Sequence, residues 1–216
     1  MNNLSVLKIN PNNFDAKDLE PAVMVLQRGG VIAYPTETVY GLGANIYHER
    51  AVRRIYQLKK RDLTKPLSVM ISSIEDVEDL CEEIHHYGKI LINAFWPGPI
   101  TLIFKASDSI PSYITSKDKK IGLRIPNHPI TEALMRMHSQ PVTSTSANIT
   151  GTKELIRAQD VKNNFGGKID LIIDGGACCV KIPSTVLDVT GEEPKVLREG
   201  AITRSQIEEV LLGISS

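Results

Sequence analysis

Residues 29–43 read GGVIAYPTETVYGLG, and the organisation of the chain is set by how this stretch is parsed. The glycine pair stops an amphipathic segment, residues 15–28, whose Leu19, Val23 and Leu26 fall on one helical face. Residues 31–36 then form a short apolar run that ends at proline, as a buried strand does. The unit is therefore helix, glycine stop, buried strand. Beyond Pro35, Thr36, Thr38 and Tyr40 occupy alternate positions, so in extended chain three hydroxyls would line one wall. Gly41 and Gly43 would let the backbone turn and a ligand approach closely. An ordinary Pro/Gly turn explains the same residues.

Helices and strands are interleaved from end to end of the chain. Helices are predicted at 49–60 (Val52, Ile55 and Tyr56 inward), after Ser73 with Asp76 three residues on as its capping partner, at 85–96, at 129–138 (Ile130, Ala133, Leu134 and Met137 inward) and at 203–212 (Ile207, Val210 and Leu211 inward). Strands are predicted at LSVMI, ITLIFKA, IGLRIP, LIID, STVLDV and KVLRE. The expected class is α/β, mixed α+β, with a sheet covered by helices. With 216 residues, 42% of them hydrophobic, and no linker or repeat, one domain is expected.

Composition excludes several functions. Lys plus Arg and Asp plus Glu each total 25, so no global charge favours polyanions or a membrane surface. Cys81, Cys178 and Cys179 give neither a disulfide framework nor a zinc spacing, and the histidines form no ligand set. The N-terminus lacks a secretory pattern and no run approaches a membrane span, so a cytoplasmic location is expected.

Four further stretches carry polar chemistry. In LKKRDLTKP, Lys59, Arg61 and Lys65 cluster at a helix end, where cations either stabilise the helix dipole or meet phosphate. Arg124 is the one charge in the apolar strand IGLRIP; it either pairs with an internal carboxylate or awaits an anionic ligand. In TSTSAN, Ser144, Ser146 and Asn148 alternate, either as a ligand-orienting set or as a capping loop. Ser184 opens one late strand and Arg198 closes the next. No Walker motif is present.

Taken in order, GGVIAYPTETVYGLG, KKRDLTKPL, FWPGPITLIF, GLRIPNHP, TSTSAN, PSTVLDV and VLREGAI resemble the YrdC family of threonylcarbamoyl-AMP synthases across nearly the whole chain. The resemblance implies a single YrdC-like domain, residues 1–216, with a twisted mixed sheet around a deep basic cavity, in the short form without a further C-terminal domain. It implies that L-threonine, bicarbonate and ATP, with Mg²⁺, give threonylcarbamoyl-AMP and pyrophosphate, which a transferase complex uses on tRNA. By the same resemblance, Thr36, Arg124, Ser144 and Ser184 would contact L-threonine. Lys59, Arg61, Lys65, Ser146, Asn148 and Arg198 would serve ATP, with Lys59 and Arg61 catalytic. Many relatives read Lys-Gly-Arg-Pro where this chain has Lys59-Lys60-Arg61-Asp62. A non-catalytic RNA-binding module, with weak RNA contact by the basic cavity, and a paralogue with altered carbamoyl-adenylate chemistry are the alternatives. Aromatic content of only 5% argues against base stacking.

Overall fold

The computed structural model describes residues 4–213. In chain order the strands are β1 (Ser5–Lys8), β2 (Ile32–Tyr34), β3 (Gly41–Gly43), β4 (Val69–Met70), β5 (Ile100–Lys105), β6 (Lys120–Arg124), β7 (Val142–Thr143), β8 (Thr145–Ser146), β9 (Leu171–Asp174), β10 (Thr185–Asp188) and β11 (Lys195–Arg198). The α-helices are α1 (Glu20–Gln27), α2 (Glu49–Lys59), α3 (Asp76–Leu80), α4 (His86–Phe95), α5 (Pro129–His138), α6 (Ala158–Phe165) and α7 (Arg204–Leu212).

The strands form two mixed sheets. The first runs β1-β9-β2-β3-β8 and the second β11-β10-β5-β6-β4-β7. Neighbours β7 and β8 belong to different sheets, and Ser144 is the one residue between them. Here the sheets are stitched together: the Thr143 N–H donates to Ala44 O at 2.8 Å, and the Ser144 N–H donates to Ser68 O at 2.6 Å.

Period-two alternation decides what each face does. On β2, Ile32 and Tyr34 join a core beneath α1 and α5, with Leu19, Leu26, Ile130 and Leu134. Ala33, one residue away, joins the larger core on the opposite face. In the second sheet, Leu102, Phe104, Ile121, Leu123 and Leu187 point into that larger core, each contributing about 1.5–3 kcal/mol by burial. Their alternates, Thr101, Ile103, Gly122, Arg124 and Val186, face a hollow between the sheets.

Most of the expected elements are present, and the differences have local causes. The segment at 15–28 divides: a 3₁₀ turn at Ala16–Leu19, capped by Asp15, precedes α1, which starts beside Pro21, where a missing N–H does no harm. The helix after Ser73 begins later, because Asp76 Oδ2 accepts from the N–H groups of Ser72 at 2.8 Å and Ser73 at 3.0 Å. In α5 the buried methionine is Met135, with Met137 only partly covered. The elements the sequence did not suggest include β1, a largely exposed edge, β3, a buried strand where Gly41 and Gly43 were expected to let the backbone turn, and α6, short and polar but for Ala158, Val161 and Phe165.

Candidate active site

The hollow has a volume of roughly 320 Å³ and draws its wall from both sheets and from the β2–β3, α2–β4, β8–α6 and β9–β10 connections. From the β2–β3 connection come Thr36 and Thr38. Their hydroxyls lie 2.9 Å apart, and Thr36 Oγ1 also donates to Val39 O at 2.7 Å, so this segment is a closed turn. The expected row of three hydroxyls is not formed, because the Tyr40 hydroxyl turns away and donates to Gly176 O at 2.8 Å. Gly41 and Gly43 have a packing reason: a Cβ at either would stand within 2.6–2.8 Å of the Tyr34 ring, which lies across them. The Tyr34 hydroxyl then donates to Thr143 O at 3.1 Å, tying β2 to the stitched segment.

Three guanidinium groups reach the hollow. Arg124, on β6, is half of an ion pair: its Nη2 meets Glu37 Oε1 at 2.7 Å, with the side chains 8% and 11% exposed. Arg61 folds onto its own loop, with Nε donating to Lys65 O and Nη2 to Pro66 O, both at 3.0 Å. Arg198 Nη2 donates to Ser184 O at 2.7 Å. That contact depends on Gly200, where a Cβ would stand 2.2 Å from Pro183 O. Burial pulls the Arg198 pKa down, Glu154 opposes this, and the like charges of Arg124 and Arg61 add to the lowering. The three cations therefore feel one another across a common space.

Several polar atoms there have no partner. Arg124 Nε and Ser184 Oγ are buried without a hydrogen bond, as is Glu37 Oε2 behind the wall. An unmet buried polar group costs about 1–3 kcal/mol, so such groups mark places prepared for something else.

Of the ten candidate residues, Thr36, Arg61, Arg124, Ser144, Ser146, Ser184 and Arg198 line this one hollow. The other three do not. Lys59 is 2% exposed, and its ammonium donates to Ser146 O, to Asn148 O at 2.8 Å and to Asn148 Oδ1 at 3.2 Å. Burial, reinforced by the charge of Arg61 and opposed by Glu154, pulls its pKa down to about 8. Asn148 stands beside it and accepts from Ser146 Oγ at 2.6 Å. Lys65 is exposed on the loop after α2. Sequence reading missed Glu37, Ser68 and Glu154. Ser68 carried a usable signal, as the one polar residue of LSVMI; Glu37 lay unremarked between two threonines, and Glu154 sits in a featureless loop.

The alternatives for Arg124 thus resolve into a shared answer: it has an internal carboxylate and still presents itself to the hollow. Among the described residues no cluster of three or more His, Cys, Asp or Glu could hold a metal, and the three cysteines are free. No helix among them is long and apolar enough to cross a membrane.

The family model Sua5_yciO_yrdC, described as "Telomere recombination", matches residues 24–200. The chain belongs to this family. Among the curated Sua5/YciO/YrdC relatives, the threonylcarbamoyl-AMP synthase of Pyrococcus abyssi is 40% identical over 186 residues, 86% of this chain and 55% of the relative. That of Coxiella burnetii is 36% identical over 177 residues, 82% of this chain and 95% of the relative. The chain thus spans about half the length of the Pyrococcus abyssi and Bacillus subtilis relatives, 55% in each. In three dimensions it is similar to P. abyssi Sua5 complexed with L-threonine, with TM-score 0.90 and 36% identity over 96% of this chain and 60% of that one. It is also similar to E. coli YciO, with TM-score 0.82 and 28% identity over 93% and 96%. Both likenesses extend across the two sheets of the Sua5/YciO/YrdC fold.

Proposed function

We propose that this chain joins L-threonine, bicarbonate and ATP in the hollow to give L-threonylcarbamoyladenylate and pyrophosphate. The observation that carries the reading is the convergence of Arg61, Arg124 and Arg198, with the unpartnered Ser184 hydroxyl, on one space between the sheets. Three cations facing each other without a full set of counter-ions suit a polyanion together with a carboxylate. The names of the relatives support the same reaction.

In this reading, Arg124 takes the threonine carboxylate, and Thr36, Ser144 and Ser184 orient the rest of the molecule. Arg61, Arg198 and Ser146 face the triphosphate, with exposed Lys65 meeting it from the loop. Lys59 and Asn148 act from behind the wall, fixing the segment that carries Ser146. The neutral threonine amine attacks the bicarbonate carbon, a C–O bond breaks and the departing hydroxide leaves as water with a proton from the amine, giving a carbamate. A carbamate oxygen then attacks the α-phosphorus as the bond to the bridging oxygen breaks and pyrophosphate leaves. Charge builds on the phosphoryl oxygens and the leaving group, where a preaimed donor contributes about 3 kcal/mol. Among the described residues, Glu154 is the one carboxylate on the wall. One carboxylate plus phosphate oxygens and water is a usual set for Mg²⁺, which would neutralise triphosphate charge. The acceleration comes chiefly from placing reactants in line, out of water that decomposes carbamates. We place the reaction in the cytosol, with the product passed to a transferase complex acting on tRNA.

The test is pyrophosphate release from ATP with Mg²⁺ and bicarbonate, with and without L-threonine. Threonine-dependent release is expected, and Arg61→Ala should lower kcat/KM by about 100-fold or more. Release that ignores threonine, or an Arg61→Ala variant as active as the parent, contradicts the reading.

A further inference from the structure

Arg124 reaches the hollow, but the group that holds it stands behind the wall. Glu37 does not line the hollow, whereas its neighbours Thr36 and Thr38 do. Its Oε1 takes Arg124 Nη2 at 2.7 Å from the buried side. The backbone at Glu37 is pinned: the Val180 N–H donates to Glu37 O at 2.9 Å and the Lys181 N–H to Thr38 O at 3.1 Å. The clasp between Thr36 and Thr38 closes the same turn. The root of the Glu37 side chain is therefore held in place, and its carboxylate reaches Arg124 from a fixed backbone.

The pair also divides the hollow electrically. Arg61 and Arg198 are held by backbone carbonyls, which carry no net charge, and Glu154, whose charge is felt at Arg198, offsets only part of theirs: two guanidinium groups against one carboxylate leave that side net cationic. On the Arg124 side, the Glu37 carboxylate offsets the guanidinium. A triphosphate, with several negative charges, is drawn to the side that keeps a net positive charge, and a single carboxylate suffices for the side where Glu37 balances Arg124. We propose that Glu37 is a positioning and specificity-determining residue: by gripping Arg124 from behind, it reserves that guanidinium for the α-carboxylate of the amino acid and keeps polyphosphate off it. This rests on the reading that L-threonine and ATP share the hollow.

Position and charge can be separated by substitution. Glu37→Gln keeps an acceptor for Nη2 and removes the charge; Glu37→Ala removes both. Dissociation constants for L-threonine, for ATP with Mg²⁺, and for inorganic triphosphate would be measured by titration calorimetry on the parent chain and both variants, with melting temperatures. In the parent, L-threonine binds and inorganic triphosphate does not compete with it. In Glu37→Ala, affinity for L-threonine falls about tenfold or more while ATP binds as well or more tightly. In Glu37→Gln most threonine affinity returns, yet triphosphate now competes with it. If Glu37→Ala fails to fold, the competition in Glu37→Gln decides the matter. Unchanged threonine affinity in Glu37→Ala, equal weakening of both ligands, or no competition by triphosphate in Glu37→Gln overturns the proposal. A parent chain that binds ATP but not L-threonine overturns instead the functional reading, and the role of Glu37 with it.

Discussion

At Lys59, burial and a like-charged neighbour act in the same direction, holding the pKa near 8 against 10.5 for the free group. Between those values the unfolded chain binds more protons than the folded one, so the contribution of this group to stability rises with pH across that window. A comparison with Lys59→Met isolates the effect, since the raised thiol values of Cys81 and Cys178 are common to both proteins. The unfolding free energy of the parent relative to Lys59→Met should rise from pH 8 to 10.5, by at most about 1.4 kcal/mol per pH unit. A flat difference would show that the ammonium is not desolvated. Arg124 behaves otherwise. Its removal leaves the Glu37 carboxylate buried and unpaired, costing about 3–5 kcal/mol of stability, so an Arg124→Ala variant mixes folding with function. Arg61, held only by carbonyls of its own loop, is the cleaner site to test.

The end of α2 shows how an element aims its residues. Lys60 caps the helix in the left-handed region, φ 49°, and this reversal sends Lys59 inward and Arg61 to the hollow. Glycine adopts that conformation without strain, so a glycine fits this position better than the lysine that occupies it. Lys60→Gly should therefore raise stability by about 0.5 to 1 kcal/mol with activity retained, as read by denaturant melting. A loss of stability would mean that the lysine side chain contributes more than its backbone strain removes. Elements with a strong period were legible from sequence: α2, α5 and β5 stand nearly where their apolar spacing put them. Edge strand β1 was not, because an exposed strand has no apolar alternation to read, and α6 was not, because three apolar residues among polar ones give little signal. The pairing of Glu37 with Arg124 was illegible for a different reason. It spans 87 residues of chain, and no local pattern encodes which strand comes to lie beside which turn.

For the molecule as a whole, the decisive feature is that one continuous segment, β7-Ser144-β8, belongs to both sheets. It fixes how far apart they stand and so sets the width of the hollow. The apolar alternates of each strand build the core, while the remaining faces of β5, β6 and β10 are left to the site. Fold stability and site geometry are thus consequences of the same period-two pattern. The sequence motifs named most of the wall, but only the folded chain separates residues that line it from Lys59 and Asn148, which brace it from behind. The central claim is that an amino acid and a nucleotide occupy this one hollow side by side. The most direct measurement is a crystal structure with L-threonine and a non-hydrolysable ATP analogue bound. The account predicts the threonine carboxylate against Arg124 and the phosphates against Arg61 and Arg198, in one continuous density between the sheets. Ligands bound elsewhere on the surface, or phosphates seated on Arg124, would contradict it.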